Sequence, residues 1–178
     1  MKSDFGIKGI ISSYSFTDFI KDAIFPIIVS VGLLILFMNS SIGSYSLVCT
    51  VTQVALTSIP AMIALMLTAY VFVMTFLFSK DALSTMTNPE EGERLLYNIN
   101  SGFGASLLIN ISSVVLFFIV YCVAQGNIQI VQADMVNYIV LFLLVFFVML
   151  SIVLQINVII DLFSCGQVMI GQNFSHKD

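Results

Sequence analysis

Asn157 and Asp161 lie four residues apart within a strongly apolar stretch. A helix carries both on one face, and Ser164 continues the line. Gln155 belongs to the same stretch. Polar and ionisable groups inside a membrane segment are costly, so such a stripe is a functional candidate. Two readings stay open: the stripe lines an ion or water path, or it marks where the helix leaves the lipid. Asn110 stands in a second set, with Gly102, Ser106 and Ser113 at steps of four, four and three. Small faces let helix backbones approach and buried amides bond across helices, so this set predicts a packing seam. Thr57, Ala61, Ala64, Thr68 and Thr75 predict another such seam. Tyr70, also in an apolar run, needs a hydroxyl partner from a neighbouring helix.

The acids gather elsewhere. Between Lys80 and Gly102 the chain reads KDALSTMTNPEEGERLLYNINSG. Thr87 or Asn88 can cap a helix, Pro89 suits its first position, and Glu90, Glu91 and Glu93 complement its N-terminus. A short helix from Pro89 to about Asn98 is predicted. It is either a solvated connection or a docking surface, with Glu90, Glu91, Glu93 and Arg94 facing a soluble partner that carries a basic patch.

Catalytic constellations are missing. The single histidine, His176, is in the tail, so no Ser–His–Asp set can form in the apolar segments. Cys49, Cys122 and Cys165 are far apart, and no metal-ligand spacing occurs. No glycine-rich phosphate loop is present, and no Glu, Lys or Arg falls mid-span to couple a transported substrate. The expectation is a protein without catalysis, metal or cofactor. Its acidic balance, formal net charge -4, argues against direct nucleic-acid binding.

The elements that must hold these residues are set by hydrophobicity. Of 178 residues, 59% are hydrophobic and 9% charged, and mean hydropathy is +1.06. Soluble domains are about 25% charged, which excludes a soluble globular fold here. A bilayer core needs about 20 apolar residues as helix. Four runs qualify, over about residues 23–39, 58–79, 103–124 and 135–163. None alternates with a period of two, so transmembrane strands are excluded. The fold class expected is an all-α membrane protein: one membrane domain over residues 1–178, four transmembrane helices, an N-terminal interfacial helix and the short helix after Pro89. Ile7, Ile10, Ile11 and Tyr14 recur at helical spacing and form the apolar face of that first helix. The acids Asp4, Asp18 and Asp22 set the leading segment apart from a cleaved signal peptide. Thr17 before Asp18 is a candidate cap for the first span. The second run is long: either Pro60 opens its membrane helix, or a longer helix kinks there. Thr50, Thr52, Gln53, Thr57 and Ser58 are too polar to face lipid for long, and are expected outside it or against a wet space between subunits.

Charge then sets orientation. Lys2, Lys8 and Lys21 precede span one, Lys80 and Arg94 lie between spans two and three, and Lys177 follows span four. The other two connections carry no Lys or Arg. Positive-inside asymmetry therefore predicts both termini in the cytoplasm. Cys49 and Cys122 fall on the outer side, where a disulfide is chemically permitted.

Some four-span families are set aside by missing residues: the chain has no acid in span one, no Cys-Cys-Gly motif and no Trp, so it lacks the marks of small multidrug transporters, tetraspanins and claudins. In size, span count, cytoplasmic termini and short outer loops, the whole chain resembles the small four-span membrane subunits of bacterial antiphage systems, notably the membrane component of Kiwa. The resemblance rests on profile and transfers no residue. It implies a homo-oligomer, a tetramer, that senses infection at the bacterial inner membrane and binds a soluble DNA-binding effector from the cytoplasmic side. Two further readings compete with it: a pore- or channel-forming effector, on the polar faces, and a small transporter.

Overall fold

The computed structural model describes residues 14–77, 89–126 and 134–175. These contain four helices and no strand: α1 (Phe16–Met38), α2 (Ser44–Leu77), α3 (Pro89–Gln125) and α4 (Asp134–Ser175). Each contains a segment long and apolar enough to cross a membrane: Phe16–Met38, Ser44–Phe72, Ile99–Gln125 and Asp134–Ser164. In hydrocarbon every backbone N–H and C=O must find its partner within the segment, which makes helix the only choice for such runs. The interfacial helix expected before Tyr14 lies outside the described residues, as do the caps expected at Thr87 and Asn88.

Two element boundaries differ from expectation, and a third decides between alternatives. α1 begins at Phe16 and not near Ala23, because Ser15 caps it; its Oγ accepts from the Thr17 N–H at 3.2 Å, and Asp18 sits in the first turn. The cap is therefore Ser15 and not Thr17, about two turns ahead of the uncharged apolar run. Of the two readings at Pro60, the longer helix is the one found: α2 runs unbroken through that residue. Thr50, Thr52, Thr57, Thr68 and Thr75 each donate back to the carbonyl four residues earlier. The helix expected from Pro89 starts there but is continuous with the third span, one helix of 37 residues.

α4 is the hub and packs against all three other helices; α2 and α3 also pack on each other, and α1 lies principally on α4. Consecutive helices run in opposite directions, and the contacts fix both ends. At the first end, Asp22 of α1 meets Asn157 of α4, and Gly102 of α3 faces Asp161. At the other, the Ser44 hydroxyl donates to Asp134 at 2.6 Å, Asn137 donates to Ser44 at 3.1 Å, and the Tyr45 hydroxyl donates to the Ala124 carbonyl at 2.6 Å. We call these the Asp22 end and the Ser44 end. The helical segment bearing Arg94 and the final turns of α4 both lie at the Asp22 end.

The apolar interior has two parts. Val48, Ile59, Phe117, Leu141 and Leu144 fill the Ser44 half, each at most 1% exposed. Met66, Phe103 and Val158 form a smaller cluster towards the Asp22 end. The outer surface is equally apolar: Leu65, Phe72, Phe118 and Phe163 stand fully out from the bundle. An apolar surface of that extent suits lipid and not water. The chain is thus a four-helix bundle with the character of a multi-pass membrane protein.

Candidate functional site

The site is built where α1, α3 and α4 converge. Asp22 arrives on the second turn of α1. Its Oδ2 accepts from the Tyr14 hydroxyl at 2.6 Å and its Oδ1 from the Asn157 amide at 2.9 Å. Pro26, buried one turn further along α1, cannot supply the helix N–H that would bond the Asp22 carbonyl. Asp161, one turn beyond Asn157, completes the polar face. Gly102 leaves room for it; a Cβ there would meet Asp161 Oδ2 at 3.7 Å. These residues, with Leu154, Val158 and Ile160, line a cavity of about 230 Å³. Two carboxylates therefore share one small space, and one of them is already clamped by two donors. Burial, and then the hydrogen bond to Asp22 and its negative charge, push the Tyr14 hydroxyl well above its ordinary pKa of 10.0. Tyr14 thus stays a donor at physiological pH. Lys21, next to Asp22, reaches the exposed Asp18, at 3.5 Å.

A second group of polar side chains lies deeper. Ser106, Asn110 and Ser113 of α3 are fully buried, as the stepped seam predicted. The Asn110 amide donates to Ser106 Oγ at 3.4 Å, and the Ser106 hydroxyl to Met66 Sδ at 3.4 Å. Asn110 Oδ1, Ser30 Oγ, Ser151 Oγ and Gln155 Nε2 are buried with no hydrogen-bond partner among the described residues.

The stripe on α4 is therefore divided. Asn157 and Asp161 come together at the cavity; Gln155 points elsewhere in the interior, and Ser164 is exposed and donates back to the Ile160 carbonyl at 2.8 Å. The seam expected on α2 is not used within the chain: Thr57, Ala61, Ala64, Thr68 and Thr75 all face outward. Tyr70 has the expected interhelical bond, to Asn100 Oδ1 at 2.5 Å, and stacks on Phe103 with centroids 3.9 Å apart. Glu90, Glu91, Glu93 and Arg94 occupy the first turns of α3, and their side chains lie outside what the structure describes. Cys49 and Cys122 are free thiols, and among the described residues no three His, Cys, Asp or Glu come together as a metal set.

Sequence reasoning missed Tyr14, Asp22, Ser30 and Ser151. Asp22 was assigned to the segment leading into span one, and no spacing within the chain announces its pairing with Asn157, 135 residues away. Together the fold and the site define a four-helix bundle of membrane character with a cavity at one end that two carboxylates share. No protein-family model, curated protein or solved structure matches the chain.

Proposed function

We propose that this protein is a non-enzymatic membrane scaffold or sensor subunit of a bacterial antiphage defence complex. In this reading it lies in the inner membrane with both termini cytoplasmic, assembles with copies of itself, and binds a soluble cytoplasmic effector. One observation supports it above the others: α3 and α4 do not stop at their apolar segments. α3 starts at Pro89, with the charged stretch PEEGERLLYN ahead of its apolar run, and α4 continues past the end of its apolar run near Phe163 to Ser175. Both excess lengths lie at the Asp22 end, and each amounts to roughly 15 Å of helix. Such extensions suit a platform that presents Glu90, Glu91, Glu93 and Arg94 to a basic partner.

The test is reciprocal. The tagged protein, purified in mild detergent from cells that resist phage, is expected to carry a soluble protein with it. Reversing charge at Glu90, Glu91 and Glu93 together is expected to release that protein and to abolish resistance. Recovery of the chain alone, with resistance intact in the triple variant, would overturn the reading.

A second reading, a pore-forming effector, is favoured by the convergence of Asn157 and Asp161 with Asp22. It predicts ion flux through reconstituted liposomes that changes when Asn157 and Asp161 are replaced by leucine.

A further inference from the structure

The face of α2 that turns away from the bundle differs in kind from the outward face of α1. α1 presents Ile24, Phe25, Ile28 and Leu36, bulky apolar groups that suit lipid. On α2, Gln53, Thr57, Ala61, Ala64, Thr68 and Thr75 follow one another at steps of four, four, three, four and seven, so one line on the helix carries them all. Each is exposed. The hydroxyls on this line are already satisfied as donors: Thr57, Thr68 and Thr75 bond their own helix. Gln53 is not. Its carboxamide has no hydrogen-bond partner among the described residues. It stands about 14 Å along α2 from Ser44, on a helix of roughly 50 Å. Pro60, exposed on the same side, has no N–H to offer the Leu56 carbonyl. A carboxamide turned towards hydrocarbon costs free energy until it finds a partner.

We propose that this face docks a second copy of the chain, α2 against α2, about a twofold axis along the membrane normal. The inference rests on the reading that the protein assembles with copies of itself, and it assigns the surface. Copies inserted in one orientation hold their α2 helices parallel, and a twofold axis sets each residue of the line opposite its own counterpart. Gln53 is self-complementary in that arrangement. A carboxamide both donates and accepts, so two of them close a pair of mutual hydrogen bonds. An unrelated helix must match that group at the same depth; a second copy does so by symmetry. α2 carries no charged residue, so two copies meet without repulsion. Ala61 and Ala64 have little side chain and let the two backbones approach. Thr57 and Thr68, with their protons committed to their own helix, bring methyl groups and acceptor oxygens to the same seam. Gln53 lies in the Ser44 half of α2, away from Glu90, Glu91 and Glu93, so self-association and effector binding are separable.

The test is symmetric disulfide formation in native membranes. In the full chain with Cys49, Cys122 and Cys165 replaced by alanine, Thr57→Cys, Ala61→Cys and Ala64→Cys are introduced singly. Val115→Cys and Phe118→Cys, on the outward face of α3, are the controls. All five positions are exposed, so none of these changes asks the core to repack. After mild oxidation the α2 variants are expected to run as disulfide-linked homodimers, and the α3 controls as monomers. Gln53→Leu is expected to weaken self-association about tenfold, read by energy transfer between labelled copies as added lipid dilutes them. Gln53→Asn, which keeps a carboxamide, is expected to restore part of it. Homodimers formed as readily through α3, α2 thiols that link only to other proteins, or no α2 product at all would overturn the proposal. Unchanged association in Gln53→Leu would remove the carboxamide pair from it. Light scattering on the chain extracted with its lipid separates the two readings. A multimer without the α2 disulfides overturns this surface alone, and a monomer overturns self-assembly with it.

Discussion

At the scale of single residues, the clamp on Asp22 is the feature with the clearest consequences. A hydrogen bond to a charged group contributes about 2 kcal/mol when its partner is partly buried. Asn157→Leu is therefore expected to lower stability by about 2 kcal/mol, read as a fall in the thermal unfolding midpoint in detergent. Tyr14 adds a pH dependence whose sign is fixed by its chemistry. Its pKa in the fold is raised above 10.0, so the fold favours the protonated hydroxyl. That contribution is fully present below the ordinary tyrosine pKa and is lost as pH rises through the raised value. Thermal unfolding followed from neutral to strongly alkaline pH is expected to show this loss, and Tyr14→Phe to remove it. An unchanged alkaline profile in Tyr14→Phe would contradict the assignment. The α4 half of this clamp was legible in the sequence, because a spacing of four places Asn157 and Asp161 on one helical face whatever surrounds them. The α1 half was not. Asp22 pairs with a residue from the far end of the chain, and only the packing of α1 on α4 creates that neighbour. Asn110 was legible as buried in a seam, but its unpaired oxygen depends on what α2 and α4 present opposite it.

At the scale of elements, length came from hydrophobicity and boundaries came from caps. Four apolar runs located four helices, since the bilayer leaves the backbone no alternative. The start of α1 escaped that reasoning because Asp18, Lys21 and Asp22 mark the end of an apolar run without ending a helix; Ser15 does that. At Pro60 the sequence left two readings open, and the longer helix is the one found. A helix tolerates one missing N–H where neighbouring helices and side chains support it, so α2 continues. Gly102 is a glycine in the interior of α3, where helix propensity disfavours it by about 0.5–1 kcal/mol relative to alanine. A methyl group there meets Asp161 Oδ2 at an ordinary contact distance. Gly102→Ala is thus expected to stabilise the protein by up to about 0.5–1 kcal/mol, whereas Gly102→Leu is expected to fill the cavity and destabilise it. At the other end, the Ser44 hydroxyl links the starts of α2 and α4 through Asp134 and Asn137. Ser44→Ala is expected to raise hydrogen exchange over the first turns of both helices together; faster exchange in α2 alone would show that the bonds do not couple them.

At the scale of the whole molecule, the account turns on how the chain threads. Opposed helices bring the Arg94 segment and the last turns of α4 to one end of the bundle, together with Lys21 and Asp22. The connections at Asn39–Gly43 and after Gln125 lie at the other end. The apolar exterior suits a membrane body, and the distribution of its six basic residues predicts how it is oriented. The most direct test is a set of enzyme reporters that are active on only one side of the membrane, fused after Ile42, Arg94, Gly126 and the final residue. The expected pattern has Arg94 and the C-terminus on the cytoplasmic side, with Ile42 and Gly126 opposite. Fusions that place Arg94 and the C-terminus on different sides would contradict the account.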